Sequence, residues 1–271
     1  MQFSEQNKRE LTEQSIATGL ETHIIGKNII VKETTTSTQT DAHELVKLGA
    51  PDGTVIIARE QTAGRGRGNR KWQSLKDKTI AMSIILYPDI LPHIAPQMTL
   101  MAATVISETL EKVINVRPEI KWPNDVLFNG KKFVGILTEM SAENKDIDYI
   151  VVGIGINVNN QLEDLPQNTN YPTTSLALET NQIWDIASLI QQILRHFEQA
   201  YLTFLQEGFQ PFKEVWESYM YKKGEKILIN DFKNKWVGTL IGINDDGALL
   251  VEKDQELKKI YSAEIEWYND N

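Results

Sequence analysis

The chain contains no cysteine. That removes disulfides, thiolate nucleophiles and thiolate-ligated zinc together. Its only histidines, His23, His43, His93 and His196, are scattered and show no metal-ligand spacing. No Gly-x-Ser-x-Gly elbow marks a hydroxyl nucleophile. No apolar run reaches the length of a membrane span, and the opening MQFSEQNKRELTEQ has no apolar signal core. No Asn-x-Ser/Thr sequon occurs. A soluble, cytoplasmic chain without a membrane partner is expected. Basic residues are also scarce: 28 Lys and Arg stand against 37 Asp and Glu, a net charge of −9. Nucleic-acid binders usually carry a basic face, so no sequence-specific DNA binding is expected.

What is present is ordinary globular composition, with 41% hydrophobic residues over 271 positions. That length suits about two domains. Residues 1–22 are polar and read as a tail or short helix. Residues 23–220 mix hairpin and helix signals instead of alternating strictly between strand and helix. Ile24–Val31 and Thr54–Arg59 read as strands. Ser37 and Thr38 stand ahead of an apolar spacing at Ala42, Leu45, Val46 and Leu48, a capped amphipathic helix closed by Gly49. Thr79–Tyr87 is a strand and Ala95–Ile114 a long helix. Asn129-Gly130 between two apolar runs is a hairpin turn, and Tyr149–Val158 is a further strand. Gln182–Gln206 carries a continuous apolar stripe and is a core-facing helix; Pro211–Met220 is a shorter one. In residues 221–271 the pattern changes to four short β-like runs, 227–229, 236–243, 248–252 and 259–267, without a helix. Such spacing predicts a small barrel. The fold class is therefore α+β: a mixed-sheet domain with helices packed on it, followed by a small SH3-like β domain.

Charge is unevenly distributed. Seven basic residues lie between Arg59 and Lys78 against only Glu60 and Asp77. Within this island, Gly64-Arg65-Gly66-Arg67-Gly68-Asn69-Arg70-Lys71-Trp72 alternates glycines with guanidiniums. Glycine permits close backbone approach, and guanidinium forks match phosphate and carboxylate. The run has neither the P-loop spacing nor Gly-x-Gly-x-x-Gly. A solvated basic loop or an RNA-binding Arg-Gly segment are the competing readings. Three further segments carry polar groups at strand ends or glycines inside strands. Lys121-Trp122-Pro123-Asn124-Asp125 presents Asn124 and Asp125; Asp125 is a candidate Mg²⁺ ligand beside phosphate oxygens, or a plain turn residue. Gly130-Lys131-Lys132-Phe133-Val134-Gly135-Ile136-Leu137 sends its two lysines to opposite strand faces, so one of them can face a pocket. Gly153-Ile154-Gly155-Ile156-Asn157 admits a neighbour or a ligand against a buried strand. Cations, glycines and one carboxylate suit electrostatic positioning of phosphates, not covalent catalysis.

In this order, Ser37-Thr38-Gln39, Gln61-Thr62-Ala63-Gly64-Arg65-Gly66-Arg67, Lys121 to Asp125, Gly130 to Leu137 and Gly153 to Asn157 resemble the biotin–protein ligase family. The likeness runs from about residue 25 to the end. It implies ATP-dependent activation of biotin to biotinyl-adenylate, then transfer to a lysine on the biotin carrier domain of a biotin-dependent carboxylase, with Mg²⁺ as cofactor. It also implies residue roles. Ser37, Thr38, Gln39, Gln61, Gly64 and Arg65 would form the biotin pocket, with Gly135 and Leu137 adding backbone contacts. Arg67 and Arg70 would serve as phosphate-side cations, Lys132 would bridge the biotin carboxylate and α-phosphate, and Arg67 and Lys132 would touch both ligands. Asn124 and Asp125 would make the nucleotide and magnesium corner, and Trp72 and Asn157 would line the nucleotide side. The catalytic set is thus Lys132, Arg67 and Asp125.

Relatives pair through the sheet, so a homodimer is a further expectation. Bifunctional relatives carry a winged helix-turn-helix ahead of the catalytic region, where this sequence has only residues 1–22 before the likeness begins. The usual adenine-stacking aromatic near residues 171–174 is not evident, although Tyr171 is close. Two alternatives remain: a lipoate–protein ligase, whose Arg-Arg followed by a triple-glycine turn is absent, and the ligand-binding core of a biotin-responsive repressor.

Overall fold

The structure, a computed structural model, describes residues 10–68, 70–143, 146–167, 171–231 and 234–268. A short helix α1 (Glu13–Ala17) leads into β1 (Ile29–Thr35), helix α2 (Thr38–Lys47), and strands β2 (Val55–Arg65), β3 (Lys71–Ser74) and β4 (Thr79–Leu86). Helix α3 (Ala95–Ile114) is followed by β5 (Glu119–Lys121), β6 (Asp125–Phe128), β7 (Lys131–Glu143) and β8 (Asp146–Asn157). Helices α4 (Leu176–Thr180), α5 (Ile186–Glu207) and α6 (Gln210–Ser218) close the first part. Strands β9 (Lys226–Asn230), β10 (Lys235–Ile243), β11 (Leu249–Lys253), β12 (Glu256–Ile260) and β13 (Glu264–Trp267) form the second.

The large sheet runs β1-β2-β4-β8-β7-β6-β5, with β3 added to β2. Only β1 and β2 are parallel; the other pairings are antiparallel, so the sheet is mixed. Its two faces differ because side chains alternate along a strand. Val55 and Ile57, Ile84 and Leu86, and Ile150 and Val152 face the main core beneath α3 and α5. Ile56, Ile85 and Val151 point the other way, into a smaller cluster with Ala42 of α2. Helices therefore lie on both faces. Beside α2, whose first turn reaches over Ser83 and Gly153, the second face carries Ala81, Ser83, Gly135, Leu137, Gly153 and Gly155, a floor of mostly small residues. The second sheet is all antiparallel, in the order β12-β11-β10-β9-β13. It is docked on the first: the buried Trp122 indole N–H donates to the Gly247 carbonyl, in the turn between β10 and β11, at 3.1 Å.

Several elements differ from expectation. Residues 24–28 are not strand, and β1 starts at Ile29. The backbone N–H groups of His23, Ile24 and Ile25 all donate to the Glu198 carboxylate, at 2.7, 2.6 and 2.8 Å, so they are turned away from any sheet ladder. Helix α5 starts at Ile186, not Gln182. Asn181 is left-handed, the Trp184 N–H donates to Asn159, and the Asp185 carboxylate caps the helix through Ser188 N–H at 2.8 Å. The final run 259–267 is two strands: β12 pairs with β11, and after residues 261–263 β13 pairs with β9 at the opposite edge. The second domain therefore has five strands instead of four.

Candidate functional site

The glycine-arginine run is not simply a loop. Strand β2 outlasts its pairing with β4, which stops at Ala58, and continues to Arg65 against β3. Gly64 pairs with Trp72 and Arg65 with Lys71, making a two-stranded arm closed by the Gly66 N–H bond to the Arg70 carbonyl at 2.8 Å. The basic island splits here. Arg59, Lys76 and Lys78 pair away from the arm tip with Asp77, Glu33 and Asp164 respectively, whereas Arg65, Arg67, Arg70 and Lys71 line a cavity of about 530 Å³ over the small-residue floor.

That cavity brings together Ser37, Thr38, Gln39, Gln61, Arg65, Arg67, Arg70, Trp72, Asn124, Asp125, Lys132, Gly135, Leu137 and Asn157. Gly64 is placed apart from its lining. It is buried in the arm, where an added Cβ would meet the Trp72 carbonyl oxygen at 2.4 Å, so it serves the close pairing of β2 with β3. Lys131, on the opposite strand face, pairs with Glu179 at 2.8 Å and is also outside the lining.

One end of the cavity is a neutral hydrogen-bonded chain at the start of α2. The Thr38 N–H donates to Gln61 Oε1 at 2.9 Å, and the Thr38 hydroxyl lies 2.9 Å from the Ser83 hydroxyl. Ser83 donates to Gln39 Oε1 at 3.0 Å, and Gln39 Nε2 donates to the Val151 carbonyl at 3.2 Å. All of Thr38, Gln39 and Ser83 are buried. Gly153 is needed here, because a Cβ at that position would stand 2.6 Å from Gln39 Oε1.

The other end is charged. The Lys132 ammonium stands 2.6 Å from Asp125 Oδ1. That oxygen is buried and has this ion-pair partner but no directed hydrogen bond. Asn124 is locked to β7: its Nδ2 donates to the Ile136 carbonyl, and the Ile136 N–H donates to the Asn124 carbonyl, both at 2.9 Å. A cis Trp122–Pro123 bond precedes it. Residues 172–174 run beside β7, with Lys132 N–H donating to Pro172 at 2.8 Å, and Asn157 Nδ2 donates to Thr174 at 3.0 Å. The Trp72 indole lies against Gly155, where a Cβ would approach the ring to 2.4 Å; its buried N–H has no hydrogen-bond partner among the described residues.

The arm tip meets the second domain. Arg67 donates to the Ser262 hydroxyl at 2.9 Å and the Ala263 carbonyl at 3.3 Å, and Arg70 lies 3.5 Å from Glu264. Burial first, then the Arg70 charge, lowers the Arg67 pKa from its ordinary value. Beneath this end Lys121 is buried, with its ammonium 3.4 Å from the centre of the Tyr171 ring. Burial pushes its pKa down to about 8. Tyr171 itself donates to the Ile265 carbonyl and lines the cavity.

Ser83 and Glu264 line the cavity without an assignment from the sequence; Tyr171, the aromatic near the expected adenine-stacking position, lines it as well. Ser83 sits in a continuous apolar run, where a lone hydroxyl is its only signal. Glu264 arrives from another domain and carries no local signal. Among the described residues no group of three or more His, Cys, Asp or Glu forms a metal cluster.

Residues 31–157 match the model of the biotin/lipoate A/B protein ligase family, and residues 224–268 match that of the biotin protein ligase C-terminal domain. The bifunctional ligase/repressor BirA of Bacillus spizizenii is 44% identical across 95% of this chain and 79% of its own length. The biotin–[acetyl-CoA-carboxylase] ligase of Paracoccus denitrificans is 30% identical, covering 85% of this chain and 97% of its own. Among solved structures, the biotin protein ligase of Aquifex aeolicus in complex with biotin and ATP superposes with a TM-score of 0.78 at 31% identity, covering 90% of this chain and all (100%) of that one.

Proposed function

This chain belongs to the biotin/lipoate A/B protein ligase family, and from that premise we propose how its cavity divides the work of a biotin–protein ligase. The chain acts as a ligase on biotin and ATP, the two ligands held by its Aquifex neighbour, and its protein substrate is the biotin carrier domain of a biotin-dependent carboxylase. The observation that carries this reading is one cavity with a neutral hydrogen-bonding end and a cationic end. Biotin has a neutral, strongly hydrogen-bonding ring system at one end and a carboxylate at the other. The ring belongs against Ser37, Thr38, Gln39, Gln61 and Ser83, which places the carboxylate toward Lys132.

The first step joins a biotin carboxylate oxygen to the α-phosphorus of ATP as the α–β anhydride bond breaks and pyrophosphate leaves. Two anions must approach one another. Lys132, drawn from Asp125, neutralises both where they meet, and Arg67 and Arg70 exchange their second-domain partners for phosphate oxygens. Trp72 and Asn157 line the nucleotide side. The second step is attack of the carrier lysine amine on the acyl carbon; the amine loses a proton, an amide forms and AMP leaves. The arm keeps water from the mixed anhydride in between. Mg²⁺ commonly takes one or two protein carboxylates plus phosphate oxygens, and Asp125, with its undirected buried oxygen, fits that single-carboxylate role. The ion would supply further neutralisation of phosphate charge.

The test is to mix the protein with ATP, Mg²⁺, labelled biotin and a carrier domain. Label on the carrier supports the reading, and lipoic acid in a parallel tube should give none. Asp125→Asn should move the magnesium titration to higher concentration, and an unmoved curve would leave Asp125 a structural residue.

A further inference from the structure

We propose that Glu139, a residue outside the cavity lining, is a positioning residue that holds Arg65 across the biotin half of the site and ties it to helix α2. The inference rests on the ligase reading above. Its starting point is topology. Arg65 ends β2 and Glu139 lies on β7, and β4 and β8 stand between those strands. Adjacent strands are roughly 5 Å apart, so no in-plane neighbour contact is available to the two residues. They nevertheless meet, with Arg65 Nη2 2.5 Å from Glu139 Oε1. The arm, unpaired from β4 beyond Ala58, folds over the face of the sheet that floors the cavity, with Trp72 against Gly135 and Gly155, and so carries Arg65 to Glu139. Arg65 lines the cavity on its way.

Glu139 shares the Leu137 face of β7, opposite Val151 beneath α2. Its second oxygen lies 3.0 Å from His43 Nε2 on α2, and His43 Nδ1 lies 2.9 Å from the Tyr149 hydroxyl on β8. The His43 ring also packs edge-on against Tyr149. One carboxylate thus joins the arm to the helix whose first turn presents Thr38 and Gln39. Hydrogen bonding from His43, ahead of the Arg65 charge, holds the Glu139 carboxyl below the usual range even though partial burial opposes this. The carboxylate is therefore ionised near neutrality and keeps its claim on Arg65.

A flexible arginine on an exposed two-stranded arm has many rotamers to lose, and fixing it beforehand removes that cost from ligand binding. Glu139 accordingly acts on biotin affinity and leaves the chemical step to Lys132. A partly exposed ion pair of this kind corresponds to roughly two- to fivefold in an equilibrium.

The experiment compares wild type, Glu139→Gln, Arg65→Ala and the double variant in biotin- and ATP-dependent pyrophosphate exchange. Thermal midpoints and calorimetric biotin binding run alongside. Glu139→Gln keeps the shape and removes the charge. It should raise the biotin KM about two- to fivefold with kcat unchanged from wild type. Arg65→Ala should raise KM at least as much, and adding Glu139→Gln to it should change nothing further, because the two act as one unit. Calorimetric Kd values should follow KM. Should Glu139→Gln fold poorly, His43→Gln, which leaves the carboxylate in place and removes its second anchor, should raise KM by a smaller factor at an unchanged kcat. An unchanged KM in both Glu139→Gln and His43→Gln, or fully additive losses in the double variant, would overturn the inference while leaving the ligase reading intact. A wild-type chain that neither exchanges pyrophosphate nor labels a carrier would overturn the ligase reading, and this inference with it.

Discussion

The two ends of the cavity are built on opposite principles. At the α2 end, Gln61, Thr38, Ser83 and Gln39 satisfy one another and the backbone of β8 within 3.2 Å. That end is finished before a ligand arrives. At the arm end the charges hold provisional partners: Lys132 with Asp125, Arg67 with Ser262 and Ala263, and Arg70 with Glu264. A neutral ring is recognised by directed bonds whose geometry must stand ready, since a mismatched buried donor costs about 1–3 kcal/mol. A polyphosphate is recognised by charge, and a countercharge can be exchanged for it at little net loss. The first end should therefore govern affinity and the second rate and retention.

The largest test of that division is Lys132→Ala. If Lys132 stands where carboxylate meets phosphate, as proposed, its removal should cost about 3 kcal/mol in the transition state, roughly a hundredfold or more in pyrophosphate exchange. Calorimetric biotin binding should change far less. Lys131→Ala, whose side chain pairs with Glu179 on the other face, is the control and should be nearly silent. Equal losses of binding and rate would erase the distinction between the ends.

Arg67→Gly comes next. Arg67 reaches its second-domain partners through two hydrogen bonds, and phosphate oxygens would replace them. Charge-assisted bonds of this kind are worth about 1.5–3 kcal/mol, so adenylate should escape roughly ten- to a hundredfold faster while its formation continues in part. Released adenylate acylates any exposed lysine. An unrelated lysine-rich protein incubated with the variant, biotin and ATP should become labelled on a blot. A variant that makes adenylate but labels only the carrier would show that the arm does not retain it.

Ser83→Ala probes the finished end. It removes the hydroxyl joining Thr38 to Gln39 and should weaken biotin binding about tenfold, within the roughly 1–3 kcal/mol of an orphaned buried group. Exchange at saturating biotin should stay near wild type. A large fall in kcat with intact affinity would reverse the assignment of the two ends.

The two ends are also unequally legible in the sequence. Alternation fixes the faces of β7 and β8 to within a few residues, and the glycines at 153 and 155 announce a close approach, which proves to be by Gln39 and Trp72. Lys131 and Lys132 part as strand geometry demands. The arm is harder to read, because glycines between arginines suggest a loop, yet residues 61–65 are strand held by β3. Residues 24–28 resemble strand in composition, and only Glu198, more than 170 positions away, decides otherwise. Glu264 and Glu139 have no local signal because each acquires its partner through tertiary packing: one from a second domain, the other across two intervening strands. Periodicity reports which face a residue takes; it carries no information on what folds over that face.

The smallest expected effect concerns stability and asks whether the charged end is held at a cost. Lys121 is buried beneath it, near the cations Lys132 and Arg70, with Asp125 as the offsetting anion. Burial, its largest cause, lowers the pKa from 10.5 to about 8. A base whose folded pKa lies below its unfolded value binds fewer protons when folded. Between the two values the unfolded chain therefore holds more protons, and unfolding free energy rises with pH across that interval. Below about pH 8 both states are protonated and the burial penalty stands in full. Lys121→Met removes the titrating group and leaves the neighbouring tyrosines to titrate as before. The difference in urea stability, wild type minus variant, should thus move in favour of wild type by about 1 kcal/mol between roughly pH 8 and 9.5, and should be flat from about pH 6 to 7. A difference independent of pH up to about 9.5 would mean that Asp125 and the Tyr171 ring already offset the burial of this charge. The two ends of the cavity would then be equally relaxed in the empty protein.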